Sequence, residues 1–109
     1  MYLENFSNLD DVLREFCVSS KEYNDINVLL AIYTYEDYDG SAFVLFERDG
    51  VLYEVNGGHC SCYGLEDQWD PEETSVEALR HRMENGYFGG TYQYDYRNEL
   101  QKVLNKWEA

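Results

Sequence analysis

The sequence predicts a single α+β domain spanning residues 1–109: a three-stranded antiparallel meander packed with about three helices. Three observations carry this prediction. Asp49-Gly50 sits between the apolar runs Ala42–Glu47 and Val51–Val55, and Asp-Gly in that setting is a strong hairpin signal because a tight turn needs positive φ. Apolar stripes at helical spacing flank this region, one near the start of the chain and two in its second half. A length of 109 residues suits one domain with a modest core and leaves no room for a second.

Taken in order, Ser7-Asn8-Leu9-Asp10 offers a side-chain oxygen at a helix N-cap and an acid three residues on, so a helix should follow. Leu9, Val12, Leu13, Phe16 and Cys17 fall on one stripe of it, which makes Cys17 a small apolar core residue. Residues 19–25 form a polar connection. Ile26–Tyr35, apolar and aromatic, has the length of a strand. Glu36-Asp37-Tyr38-Asp39-Gly40 is the next turn, and Ala42–Glu47 and Val51–Val55 complete the meander, with its two turns at opposite ends of the sheet. Ala42–Phe46 is apolar on both faces and therefore reads as an inner strand. Asn56-Gly57-Gly58 should end the sheet.

Residues 65–73 are acidic around Trp69 and the single proline, Pro71. Thr74-Ser75-Val76-Glu77 then supplies a capping box for a helix with Val76, Leu79 and Met83 on its apolar side. Glu72, Glu73 and Glu77 suit the positive end of its dipole, and Arg80, His81 and Arg82 the negative end. Asn85-Gly86 is a stop signal. The Gly- and Tyr-rich segment 86–96 reads either as an extended edge or as a loop covering the sheet, with Tyr92 and Tyr94 as candidate interface residues. A last helix carries Leu100, Val103, Leu104 and Trp107 on one stripe, with Lys102 and Lys106 toward its C-terminal end.

Charge restricts the function more than any motif. With 22 acidic against 8 basic residues the formal charge is −14, which disfavours direct binding to nucleic acid or to anionic membranes. An aromatic content of 17% argues that this polyanion folds rather than remaining disordered. No apolar run reaches the ~20 residues of a membrane span, no signal-peptide pattern opens the chain, and three cysteines suit reduced thiols in a cytoplasmic setting.

No residue set amounts to a catalytic site, so the expectation is a protein that is not an enzyme and needs no cofactor. His59, Cys60 and Cys62 place three possible zinc ligands within four residues, but the C-x-C spacing lacks the matching second pair of a structural zinc site. A buried thiol and a hydrogen-bonded histidine in a tight turn explain the same residues. A zinc- or redox-sensitive binding module centred there is the alternative function. Neither Gly57-Gly58 nor Gly89-Gly90 has the context or the lysine of a phosphate-binding loop.

The segments GSAFVLF (40–46), LYEVNG (52–57), HCSCYGLE (59–66), Gln68-Trp69 and PEET (71–74) resemble a family of small, largely uncharacterised bacteriophage proteins. The resemblance covers roughly the middle third of the chain and implies a phage origin. Small acidic phage proteins without catalytic residues include many that occupy a host defence protein at its nucleic-acid-binding surface. The expected partner is therefore a host protein with a basic nucleic-acid-binding surface, such as a CRISPR effector or a restriction enzyme. Residues i and i+2 of a strand are roughly 6.5–7 Å apart, close to the phosphate spacing of a nucleic-acid strand. Glu36, Asp37 and Asp39 form one candidate partner-binding cluster, and Glu66, Asp67, Asp70, Glu72 and Glu73 a second. Solvated turns of an acidic protein account equally for both. A phage structural or accessory role without mimicry is a third reading, and sequence leaves the oligomeric state open.

Overall fold

A computed structural model describes residues 1–4, 6–23, 25–36, 39–59, 65–66, 68–84 and 97–108. Five strands and four helices follow in the order β1 (Tyr2–Glu4), α1 (Leu9–Glu15), α2 (Ser20–Tyr23), β2 (Asn27–Glu36), β3 (Asp39–Arg48), β4 (Val51–His59), β5 (Glu72–Thr74), α3 (Val76–Glu84) and α4 (Arg97–Glu108). The strands form one mixed sheet in the order β1-β2-β3-β4-β5, with β1 parallel to β2 and the remaining pairs antiparallel.

The expected three-stranded antiparallel meander with three helices is therefore corrected to a five-stranded sheet with four helices. β2, β3 and β4 are its long strands, and each outer strand contributes only three residues. Three residues are too few to show a period-2 pattern, so these edges leave almost no local signal. Asn56-Gly57-Gly58 does not end the sheet either: β4 continues to His59, which pairs with Gly40.

The β3–β4 hairpin closes through Asp49 (φ 56°) and Gly50 (φ 81°), with Arg48 opposite Val51. Two central residues at positive φ make a type I′ turn, whose twist matches that of the strands. Helix α1 is capped one residue later than Ser7: the Asn8 side chain accepts from the Asp11 N–H at 2.9 Å, while the Ser7 N–H donates to the Asp11 carboxylate at 3.0 Å.

Cys17 is exposed, not part of the core, because the helix stops before it. Its N–H donates to Arg14 O, the Val18 N–H donates to Leu13 O, and Cys17 itself takes φ 57°, the left-handed position of a Schellman motif. The stretch expected to be a polar connection after it contains the single-turn α2. Glu72 and Glu73 lie on β5 rather than at the entry of α3, where Ser75 Oγ instead accepts from the Ala78 N–H at 3.1 Å.

The sheet is covered on both faces. On one, α1, α2 and the segment around Leu65 and Trp69 enclose Phe6, Phe16, Ala31, Tyr33, Val44, Phe46 and Val55. On the other, α3 and α4 enclose Leu30, Ile32, Leu45, Leu52, Leu79, Leu100 and Leu104. This explains why Ala42–Phe46 is apolar throughout: β3 is central and sandwiched. A β-bulge between Val28 and Leu30 interrupts the β2–β3 register. Leu29 is the extra residue, so Leu29 and Leu30 both pack on the α3/α4 side, while Val28 joins the opposite core.

Candidate interaction surface

Glu36 and Asp39 pair with each other where β2 meets β3. Their side chains, and Asp37 altogether, lie outside the described residues, as do Asp67, Tyr92 and Tyr94. The alternative metal ligands have the same status: His59 ends β4, but its side chain, Cys60 and Cys62 are not described. Of the expected partner-binding acids, Glu66, Asp70, Glu72 and Glu73 have described side chains, and all are exposed.

Glu72 and Glu73 lie away from Asp39: Asp39 begins β3 at the end of the sheet where Gly40 faces His59, whereas Glu72 pairs with Glu54 on the far edge. From row 59 to row 54 of β4 is a run of roughly 17 Å.

Beside the β5 acids lies an aromatic group that the sequence did not single out. Trp69 stacks on Phe46 with centroids 5.8 Å apart and an interplanar angle of 6°, and Phe46 stacks in turn on Tyr53 at 5.5 Å. Tyr23 and Phe16 meet the Trp69 ring edge-on at 5.3 and 5.2 Å. Tyr23, Tyr53 and Trp69 remain half-buried, each presenting part of its ring to solvent.

Acids border this group on several sides. Asp70 follows Trp69, Glu73 pairs with Tyr53 across the β4–β5 ladder, and Glu22 shares with Phe16, Cys17, Tyr23 and Trp69 the lining of an open cleft of about 450 Å³. The indole N–H of Trp69 is buried without a hydrogen-bond partner among the described residues.

Two devices place Trp69. The Gln68 side-chain amide pairs with Gly58 in both directions, its oxygen accepting from the Gly58 N–H at 2.7 Å and its nitrogen donating to the Gly58 carbonyl at 2.8 Å. It thereby stands in for a strand where β5 does not reach. Gly57 permits the close crossing of this segment, since a Cβ there would lie 3.2 Å from both Leu65 and Phe16 and 3.3 Å from Gln68. The Phe46–Tyr53 pairing follows from the two-residue loop Asp49-Gly50, with Arg48 opposite Val51. The seating of Trp69 was not legible in the sequence.

Four of the eight basic residues are paired internally. Arg14 pairs with Asp11, Arg48 with Asp25, Arg80 with Glu108 and Arg82 with Glu54. Arg48 also donates to the Glu22 carbonyl and lies 4.8 Å from the centre of the Tyr23 ring, tying the β3–β4 hairpin to α2.

Glu54 is the only buried carboxylate among the described residues. Burial acts to raise its pKa, but hydrogen bonds from Arg82, Thr74 and Asn56, together with the Arg82 charge, outweigh that and hold it below the usual glutamate value. This buried pair connects α3 to β4 and faces away from the aromatic group, so its role is structural.

Comparison with protein-family models, with characterised proteins and with solved structures finds no match to this chain. Its function is therefore read from residues and geometry.

Proposed function

We propose that this chain is a non-enzymatic, acidic, phage-type protein that binds and inhibits a host nucleic-acid-handling defence protein in the host cytoplasm, in an anti-CRISPR or anti-restriction role. It does so by covering the basic surface that otherwise holds nucleic acid. One observation carries the reading. Arg14, Arg48, Arg80 and Arg82 each have an internal carboxylate, whereas Glu66, Asp70, Glu72 and Glu73 are exposed without an ion pair among the described residues.

The field presented at this edge is therefore uncompensated and suited to steering a cationic partner. Tyr23, Tyr53 and Trp69 beside it add the aromatic area that arginine-rich surfaces stack on, so that charge governs encounter and the rings govern residence. The resemblance to phage-encoded proteins supplies the host setting. A nucleic-acid mimic needs its charge at the edge of a rigid scaffold, and β5 is such an edge.

Capture from host lysate followed by kinetics on the recovered partner tests this reading. The triple variant Asp70→Lys, Glu72→Lys, Glu73→Lys should keep the wild-type melting temperature within the small range of surface substitutions. Its association should slow by about tenfold or more at low salt, with a weaker salt dependence. A partner bound equally tightly by the triple variant, with no salt dependence in either case, would refute charge-directed binding.

A further inference from the structure

We propose a second, independent binding site: a groove between α4 and the start of β2 that takes a small amphipathic monoanion, a carboxylate or similar head on an apolar body. The groove has a volume of about 450 Å³, and its apolar walls are Leu29, Val103 and Trp107. Two lysines complete its lining, together with Asn27, Val28, whose side chain joins the opposite core, and Met1, whose ammonium donates to the Leu29 carbonyl. That size and an apolar lining with few polar groups match small-molecule sites, which run to ~300–1,000 Å³.

Its charged groups have one sign. Lys102 and Lys106, one turn apart on α4, both line the groove, and neither has a carboxylate within ion-pair distance among the described residues. In a chain of formal charge −14 in which Arg14, Arg48, Arg80 and Arg82 each have an acid partner, two adjacent lysines without one over an apolar cleft concentrate positive charge at this place. A solvated helix face does not require the cleft. The same four-residue spacing that stabilises a Glu–Lys pair here sets two like charges side by side, a repulsion that an anion bound between them relieves.

The backbone contributes as well. The β2 bulge turns Leu29 onto the α4 side next to Leu30, and without it Leu29 would face the opposite core. Bulges commonly re-aim a side chain beside a binding site, and this one supplies a wall of the groove. The bound species then has its head between Lys102 and Lys106 and its apolar body against Leu29, Val103 and Trp107. The acidic surface elsewhere on the molecule disfavours a polyanion or an anionic membrane as occupant, because the overall field repels extended negative charge while two local lysines suffice for one head group.

Decanoate, a straight-chain carboxylate, and decyltrimethylammonium, its cationic counterpart, test the site on the full chain. Decanoate should bind saturably at one per chain below its micellar range, with its largest NMR shift at the Trp107 indole rather than at Trp69. The double variant Lys102→Gln, Lys106→Gln, at exposed helix positions, should keep the wild-type melting temperature and bind decanoate at least about tenfold more weakly. The cationic probe should not saturate the wild type. Absence of saturable decanoate binding, equal binding of the two probes, an unchanged affinity in the variant, shifts centred on Trp69, or binding only to vesicles of anionic lipid would each overturn the proposal. The wild-type titration decides the matter even if the variant folds poorly.

Discussion

The two faces of the sheet are packed by different means. The α1/α2 face is built from rings: Phe6, Phe16, Tyr23, Tyr33, Phe46, Tyr53 and Trp69 pack around Val44 and Val55. The α3/α4 face is mainly aliphatic, with Leu30, Ile32, Leu45, Leu52, Leu79, Leu100 and Leu104 at its centre. Helix length accounts for the difference. Helices α3 and α4, of 9 and 12 residues, can lay a continuous stripe over the sheet, whereas α1 and α2, of 7 and 4, cannot. Large rings and an ordered crossing segment fill the space that short helices leave. Tyr23, Tyr53 and Trp69 on the aromatic face consequently stay half-buried, and Glu22, Asp70 and Glu73 lie beside them.

Breaking the ring stack at its centre should produce the largest effect. Phe46 contacts Tyr23, Tyr53 and Trp69, so Phe46→Ala should destabilise by about 3–5 kcal/mol and strongly reduce the near-ultraviolet circular dichroism of the folded protein. Leu104→Ala on the opposite face should cost about 2–5 kcal/mol while leaving that aromatic signal largely intact. If the two substitutions had the same spectroscopic signature, the faces would not be separate packing units.

Glu54 on the aliphatic side sharpens the contrast through pH. With its folded pKa below the value of about 4.3 of an unfolded glutamate, the native state binds fewer protons than the unfolded chain around that pH. Its contribution is complete above the unfolded value and disappears as pH falls through the folded one. Glu54→Gln should therefore lower stability by about 2 kcal/mol at pH 7, a modest figure because Arg82 remains partly solvated. Denaturant titrations at decreasing pH should show the gap between variant and wild type narrowing below about pH 4.5. A gap constant across that range would remove the ionic part of the explanation.

The smallest effect is expected at the crossing on the aromatic side. Gly57→Ala places a methyl group against Leu65, Phe16 and Gln68, and the resulting overpacking is partly offset by the reduced freedom of the unfolded chain. The net loss should be about 1 kcal/mol, accompanied by a change in Trp69 fluorescence. Stabilisation with unchanged fluorescence would mean that the segment from Leu65 to Trp69 has slack that the close approach does not suggest.

Short-range chemistry was legible from sequence. The Asp49-Gly50 turn and the stripe of α4 depend on residues a few positions apart, whose backbone preferences act alike in any context, whereas the stop expected at Asn85-Gly86 lies outside the described residues. The candidate site was legible as two acidic clusters; the aromatic group of Tyr23, Tyr53 and Trp69 beside the second was not, because it is assembled from residues far apart in the chain.

By itself, then, the sequence determined an α+β chain with a long β2–β3–β4 core, amphipathic helices before and after it, and an acidic exterior. Tertiary structure alone decided the rest. It recruited Tyr2–Glu4 and Glu72–Thr74 as edge strands, aimed Leu29 at α4 through the bulge and seated Trp69 on Phe46. The physical reason is common to all three. Free strand edges and uncovered sheet faces exist only once the long strands have paired, and whichever segments lie within reach satisfy those backbone groups and bury that area regardless of their own weak local preference.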